Sequence, residues 1–408
     1  MKKNLLILGA GTAGTMIANL MNRRLPANDW QITVVDRSDA HLYQPGLLFL
    51  PFGHYSETDI VRKTADFLPK RVVFKQAEID KVEPDADGVI LTDGTTLSYD
   101  LLVIALGCRT APEETMGMLG PKWGENIHDF YTLDGARRLR EKLETVKSGR
   151  VVVHLNEMPV KCPVAPLEFV FLADTYFRER GIRDAITLTY VTPLSGAFTK
   201  PKAAKKLSHL LTDKSIELVT DFVVEQVDQE GDKLVCYDGR EVHYDLLVTT
   251  PTNMGDAAVR RSGMGDDLDF IPTDKHTLQS KTHRNVFVIG DATNLPASKA
   301  GSVAHFESET LAENLMRHIG GMPLLEDFDG HSNCFIESGD GKALLIDFNY
   351  EHEPHEGNFP FSFGPMKLLE ESRLNHLGKL AFRHVYWNVL LRGLPMPGIS
   401  RHKKPPTW

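Results

Sequence analysis

Lys3-Asn-Leu-Leu-Ile-Leu-Gly9-Ala-Gly11-Thr-Ala-Gly14 is an apolar run broken by three glycines at the spacing Gly-x-Gly-x-x-Gly. The run predicts a buried strand, the glycines a tight turn, and the residues beyond them a helix over 15–22. The first amides of such a helix can receive a phosphate. A second strand over 31–35 ends at Asp36, about twenty residues past the glycines, where a carboxylate can accept the ribose hydroxyls of an adenosine. Glycines, flanking strand and acid together predict an α/β chain with a Rossmann-like dinucleotide-binding unit.

Around residue 150 an entering strand recurs, Arg150-Val-Val-Val-His-Leu155. No second glycine turn follows it. The chain continues Asn156-Glu-Met-Pro-Val-Lys-Cys162-Pro-Val-Ala-Pro166, placing a thiol where a second pyrophosphate would be held. A strand over 245–251 echoes one over 100–106, as expected of duplicated Rossmann-like units. The organisation expected is a dinucleotide-binding domain split between 1–110 and 265–320, the split being what a resemblance to two-dinucleotide-binding flavoproteins, carried by Tyr99–Gly107 and Asn285–Asp291, implies. A second Rossmann-like domain carrying Cys162 is inserted at 111–264, and a C-terminal α+β unit occupies 321–408.

The chain has 408 residues, ample for several buried cores, with 42% hydrophobic and 25% charged residues. A net charge of −9 argues against a nucleic-acid partner. From Met366 onward eight basic residues face only Glu370 and Glu371, a local +6 that leaves −15 on the rest. A basic end on an acidic body suits an anionic membrane surface. Four cysteines are too few for a disulfide scaffold. No run of 18 apolar residues is present and the N-terminal run is too short for a signal peptide, so the expected setting is the cytoplasmic face of a membrane, bound peripherally. No metal ligand set is assigned.

Tyr99-Asp-Leu-Leu-Val-Ile-Ala105-Leu-Gly107 and Asn285-Val-Phe-Val-Ile-Gly290-Asp291 resemble signatures of the two-dinucleotide-binding flavoproteins, in the correct order over 1–320. That resemblance implies FAD, held at Gly9, Gly11, Gly14, Asp36, Ala105, Gly107, Gly290 and Asp291, with Lys299 near the flavin. Val160-Lys-Cys-Pro-Val-Ala-Pro166, Thr192–Phe198, Val248–Thr252, Thr293–Ala300 and Tyr386–Arg392 more narrowly resemble sulfide:quinone oxidoreductases, from Leu5 to about Gly393. The family resemblance implies that Cys162 and Cys334 form a redox-active pair beside the flavin. Hydrosulfide would be oxidised to persulfide or polysulfide sulfur, a membrane quinone would take the electrons, and a small acceptor would remove the sulfur. No cysteine falls between Arg109 and Lys161, where many members carry a third, so the FAD is expected to be noncovalent.

Residues 380–391 are too apolar for a surface helix with one buried stripe and too short to span a bilayer. Tyr386 and Trp387 within them favour a membrane interface, and monotopic insertion is the expectation. Docking on the protein's own core or on a second copy stays open. Phe359, Phe361 and Phe363 are candidates for an apolar quinone pocket, Glu168 for a helix cap or a proton-relay acid near Cys162, and Cys236 for a structural thiol in a strand. A type II NADH:quinone oxidoreductase, the flavin subunit of a sulfide dehydrogenase feeding a cytochrome, and a sulfur-sensing flavoprotein without turnover are the alternatives. Quinone type, sulfur acceptor and any homo-oligomer stay undetermined.

Overall fold

A computed structural model describes residues 2–361 and 363–396. Leu5 to Leu8 are wholly buried, because the strand Lys3–Leu8 is covered on both faces, as parallel strands in α/β folds are. It is the centre of a five-stranded parallel sheet. Leu101–Ile104 and then Val286–Val288 lie on one side, and Trp30–Asp36 and then Val73–Gln76 on the other. The helix that follows the glycines is Thr12–Arg24, starting three residues earlier than the sequence suggests.

A second five-stranded parallel sheet repeats the plan around Gly149–Leu155. Leu246–Thr250 flanks that central strand as Leu101–Ile104 flanks Lys3–Leu8, so the internal echo in the sequence is an equivalence of position. Each parallel sheet carries a three-stranded antiparallel companion, at 79–98 and 224–243. The chain is thus α/β with two Rossmann-like sheets.

The C-terminal residues form a four-stranded sheet in the order Ser332–Gly339, Lys342–Phe348, Met366–Leu368, Gly357–Phe359. The helix Arg373–Val385 packs on it, followed by a wide turn at Tyr386–Leu390. No helix of the described residues is long and apolar enough to cross a membrane. Cys334 lies within the strand Ser332–Gly339, opposite Ile346. The turn follows at Asp340-Gly341, both left-handed in φ.

Candidate active site

One cavity of about 750 Å³ runs from the glycine turn past Cys162 and Cys334 to the C-terminal helix. Its dinucleotide end is shaped by close backbone approach. Gly9 has φ +97°, and a Cβ there would collide with the Ala105 carbonyl oxygen. A Cβ on Gly14 would collide with the carbonyl oxygen of Gly9. Gly11 caps the helix with no side chain, which leaves its first amides free for an anion. Asp36 is fixed at the cavity wall by accepting from the Ala10 amide at 2.6 Å and the Ser38 amide at 2.9 Å. Ala105, Gly107, Gly290, Asp291 and Lys299 line the same cavity. These surfaces fit the adenosine diphosphate part of FAD, with small residues only where the backbone must approach it. Gly14→Ala is expected to yield protein with almost no bound flavin, read from the ratio of flavin to protein absorbance; full flavin content would count against this cradle.

The end of the second parallel sheet is built differently. Asn156 donates to Thr115 and Thr252 at 3.0 Å each, and the Thr252 hydroxyl in turn donates to Glu157. Side chains and a carboxylate therefore stand where the first sheet has a bare glycine turn. The helix Ala165–Glu179 starts ten residues after the strand Gly149–Leu155. No glycine turn leads from that strand into that helix.

That long connection carries Cys162. Its φ is +50°, a left-handed value that a non-glycine residue keeps only when its surroundings enforce it. The enforcement is visible: its amide donates to Lys299 O at 2.8 Å, and its carbonyl accepts from Ala165 N at 2.9 Å and Tyr131 hydroxyl at 3.1 Å. Cys334 reaches the cavity from the C-terminal sheet, with Ser332 Oγ 3.9 Å from its sulfur. All four cysteines are free thiols. Burial pushes the Cys334 thiol up to about 11 and the Cys162 thiol higher still, and the neighbouring Glu168 carboxylate raises both further.

Glu168 does not cap its helix. It is wholly buried, takes the Lys379 ammonium as its ion-pair partner, and accepts from Glu337 N at 2.7 Å. Both Glu168 and Lys379 line the cavity, so the Lys379 ammonium stands beside the two thiols and opposes the rise in their pKa values. Lys299, on the same cavity wall, also has a local structural part. Its ammonium donates to the carbonyls of Asp291 at 2.8 Å and Thr293 at 2.7 Å, and lies 3.8 Å over the Phe270 ring. It staples the Gly290-Asp291 turn. Cys108 sits against Asp291 and Asn253, its thiol pushed up to about 12 by burial. Cys236 is buried in the strand Lys233–Cys236.

Residues 3–154 match the family model described as pyridine nucleotide-disulphide oxidoreductase. A mitochondrial sulfide:quinone oxidoreductase from Mus musculus is 28% identical over 404 residues, 95% of this chain and 86% of the mouse protein. One from Dictyostelium discoideum is 27% identical over 401 residues, with coverage of 95% and 86%. The crystal structure of the sulfide:quinone oxidoreductase from Aquifex aeolicus superposes with a TM-score of 0.80 at 20% identity, over 96% of this chain and 92% of that one. Nearly the whole chain is similar to sulfide:quinone oxidoreductases.

The likeness to sulfide:quinone oxidoreductases extends through the C-terminal unit, where the expectations need correction. Tyr386 and Trp387 do not face outward. Both are buried; the Tyr386 hydroxyl sits 2.7 Å from His41 Nε2 and 2.8 Å from Thr12 Oγ1, and Trp387 stacks on Phe67 at 5.0 Å. Asn19 and Arg23 of the first helix hold the carbonyls of Leu391 and Arg392 at 3.1 and 2.8 Å. This segment docks on the protein's own core. Of the three phenylalanines only Phe359 lines the cavity, whereas Phe361 and Phe363 stack on each other at the surface, 5.5 Å apart. Phe363 is 83% exposed.

The helix Arg373–Val385 is inverted relative to an ordinary surface helix. It buries Asn375 and Lys379 and exposes Leu374, Leu377 and Ala381. Sequence reasoning missed Lys379, His41 and Glu307. Glu307 is fully buried, accepts from Gly290 N at 2.7 Å, and is pushed up to about 7 by burial. The available signal was positional: Glu307 falls within an otherwise largely buried helix, Gly301–Ile319, where an acid needs a partner.

Proposed function

We propose that this chain is an FAD-dependent sulfide:quinone oxidoreductase that works through Cys162 and Cys334. One observation carries the reading: two thiols 172 residues apart in sequence open into the same cavity as a dinucleotide cradle. The blocked second turn supports sulfur rather than a nicotinamide as the electron source. FAD, held noncovalently, would take an electron pair from the thiols and deliver it to the quinone.

In the proposed cycle the pair begins oxidised, as a Cys162–Cys334 disulfide, two electrons removed from the two thiols of the structure. Hydrosulfide attacks the Cys162 sulfur, forming a persulfide there and releasing Cys334 as a thiolate. The Lys379 ammonium favours that thiolate, which burial alone would disfavour. An acceptor thiolate, or a second sulfide, then takes the outer sulfur and leaves Cys162 as a thiolate as well. Loss of two electrons from the two thiolates restores the disulfide. The balance is HS⁻ + RS⁻ + Q + H⁺ → RSS⁻ + QH₂, where RS⁻ is the acceptor and Q the quinone.

The quinone enters where Phe359, Met366, Phe382 and Val385 line the cavity. In the same C-terminal unit the inverted helix exposes Leu374 and Leu377, and the segment after Phe359 exposes Phe361 and Phe363. An apolar surface bearing basic residues fits a monotopic seat on an anionic membrane, and these residues take over the part first given to Tyr386 and Trp387.

The test is anaerobic mixing of the purified yellow protein with sulfide or with NADH, followed by flavin absorbance. Sulfide is expected to bleach the flavin rapidly and NADH to leave it oxidised. Rapid stoichiometric bleaching by NADH, with none by sulfide, would overturn the reading in favour of an NADH:quinone reductase.

A further inference from the structure

Four ionisable side chains lead from the cavity toward solvent through an otherwise apolar region. Lys379 and Glu168 meet at the cavity wall. Glu168 also accepts from the amide of Glu337, and Glu337 is the next carboxylate after Glu168 to act on Lys379. The Glu337 carboxylate, itself wholly buried, holds His376 Nδ1 at 2.9 and 3.1 Å. The His376 side chain is 23% exposed. His376 and Lys379 are three residues apart on one helix, hence on one face.

Stability alone does not account for this cluster. Buried ion pairs roughly break even against well-packed apolar replacements. The charges do not balance either: two carboxylates face one lysine, so neutrality needs one further proton, on the imidazole or on a carboxyl. The other titratable groups facing the cluster do not supply it. Burial lowers His54 and raises Tyr43 and Tyr55, which keeps all three neutral; Arg383 is tied to Asp59 at 2.7 Å; Glu179 acts on His54. The further proton therefore belongs to the cluster of His376, Glu337, Glu168 and Lys379.

We propose that His376 and Glu337 form a proton entry from solvent to the cavity wall at Lys379 and Glu168, recharging both in each turnover. The inference rests on the proposed sulfide-to-quinone reading. Quinone reduction consumes two protons; hydrosulfide gives up one when its sulfur is transferred, and the second is drawn from solvent. His376 and Glu337 touch neither sulfur nor quinone and act through Lys379, so they are positioning residues.

The test compares parent, His376→Gln and Glu337→Gln holoenzymes in two separate half-reactions. Flavin reduced with dithionite is mixed with a short-chain ubiquinone analogue, so this step is read whatever the natural donor. Reoxidation is expected to slow by on the order of 10²-fold in both variants. In His376→Gln the solvent deuterium isotope effect rises and added imidazole restores most of the rate. Sulfide reduction of the oxidised flavin stays within about twofold of the parent, since that half-reaction needs no proton from this route. Parent-like reoxidation in both variants overturns the proposal. So does slow reoxidation in His376→Gln with neither an isotope effect nor imidazole rescue, because a packing defect would behave that way. Failure of sulfide to reduce the parent flavin overturns the functional reading instead. If Glu337→Gln does not fold, His376→Gln with imidazole decides alone.

Discussion

Cys162→Ser and Cys334→Ser are each expected to lower sulfide-dependent quinone reduction by on the order of 10³-fold or more, while the purified protein stays yellow. Neither residue belongs to the cradle formed by Gly9, Gly14 and Asp36, so flavin content is expected to match the parent. The loss is large because exchange chemistry needs two sulfurs: one to carry the persulfide, the other to leave as a thiolate. The double variant is expected to be no slower than either single variant, since residues acting as one unit are not additive. Cys236→Ser is expected to be nearly silent in turnover. Its thiol is buried in a strand of the companion sheet at 224–243, and does not line the cavity. Steady-state assays with sulfide and a short-chain quinone check all four proteins, and near-parent turnover in Cys162→Ser would sink the two-sulfur mechanism.

What could be read from the sequence was what backbone geometry or a dense motif dictates. Gly9 and Gly14 were legible because no other residue fits where the backbone passes so close to a neighbouring carbonyl. Cys162 was legible because its proline-flanked loop replaces an expected turn. The strand holding Cys334 is marked in the sequence only by Asp340-Gly341, a hairpin signal just beyond it. Tyr386 and Trp387 were misplaced for a different reason. An apolar, aromatic stretch has the same composition whether it meets lipid or the protein's own core. Only the partners His41, Thr12 and Phe67 decide, and all three are more than 300 residues distant in sequence. The Glu168–Lys379 pair spans 211 residues and was equally hidden, since a charge pattern cannot announce a tertiary partner.

Lys379→Met carries the largest expected loss of stability, about 3–5 kcal/mol near neutral pH, because it strands a buried carboxylate rather than removing a balanced pair. Glu168 is buried and its carboxyl is already raised by desolvation, with Lys379 the main opposing influence. Without the ammonium its folded-state pKa climbs further, while the unfolded value stays near that of a free glutamate. A carboxyl raised on folding binds more protons in the native state, so stability falls as pH rises between the unfolded and folded values. The deficit of Lys379→Met is therefore expected to be greatest above the raised value and to shrink as pH drops toward the ordinary glutamate range. Adding Glu168→Gln removes the stranded charge and is expected to recover most of the thermal stability and flatten that pH dependence. It should not recover quinone reduction, because the positive charge beside Cys162 and Cys334 is still missing. Thermal unfolding of the two variants across pH, with turnover measured on the same samples, separates these effects. Equal melting temperatures for parent and Lys379→Met at neutral pH would mean that Glu168 is neutral in the parent and that the pair carries no charge.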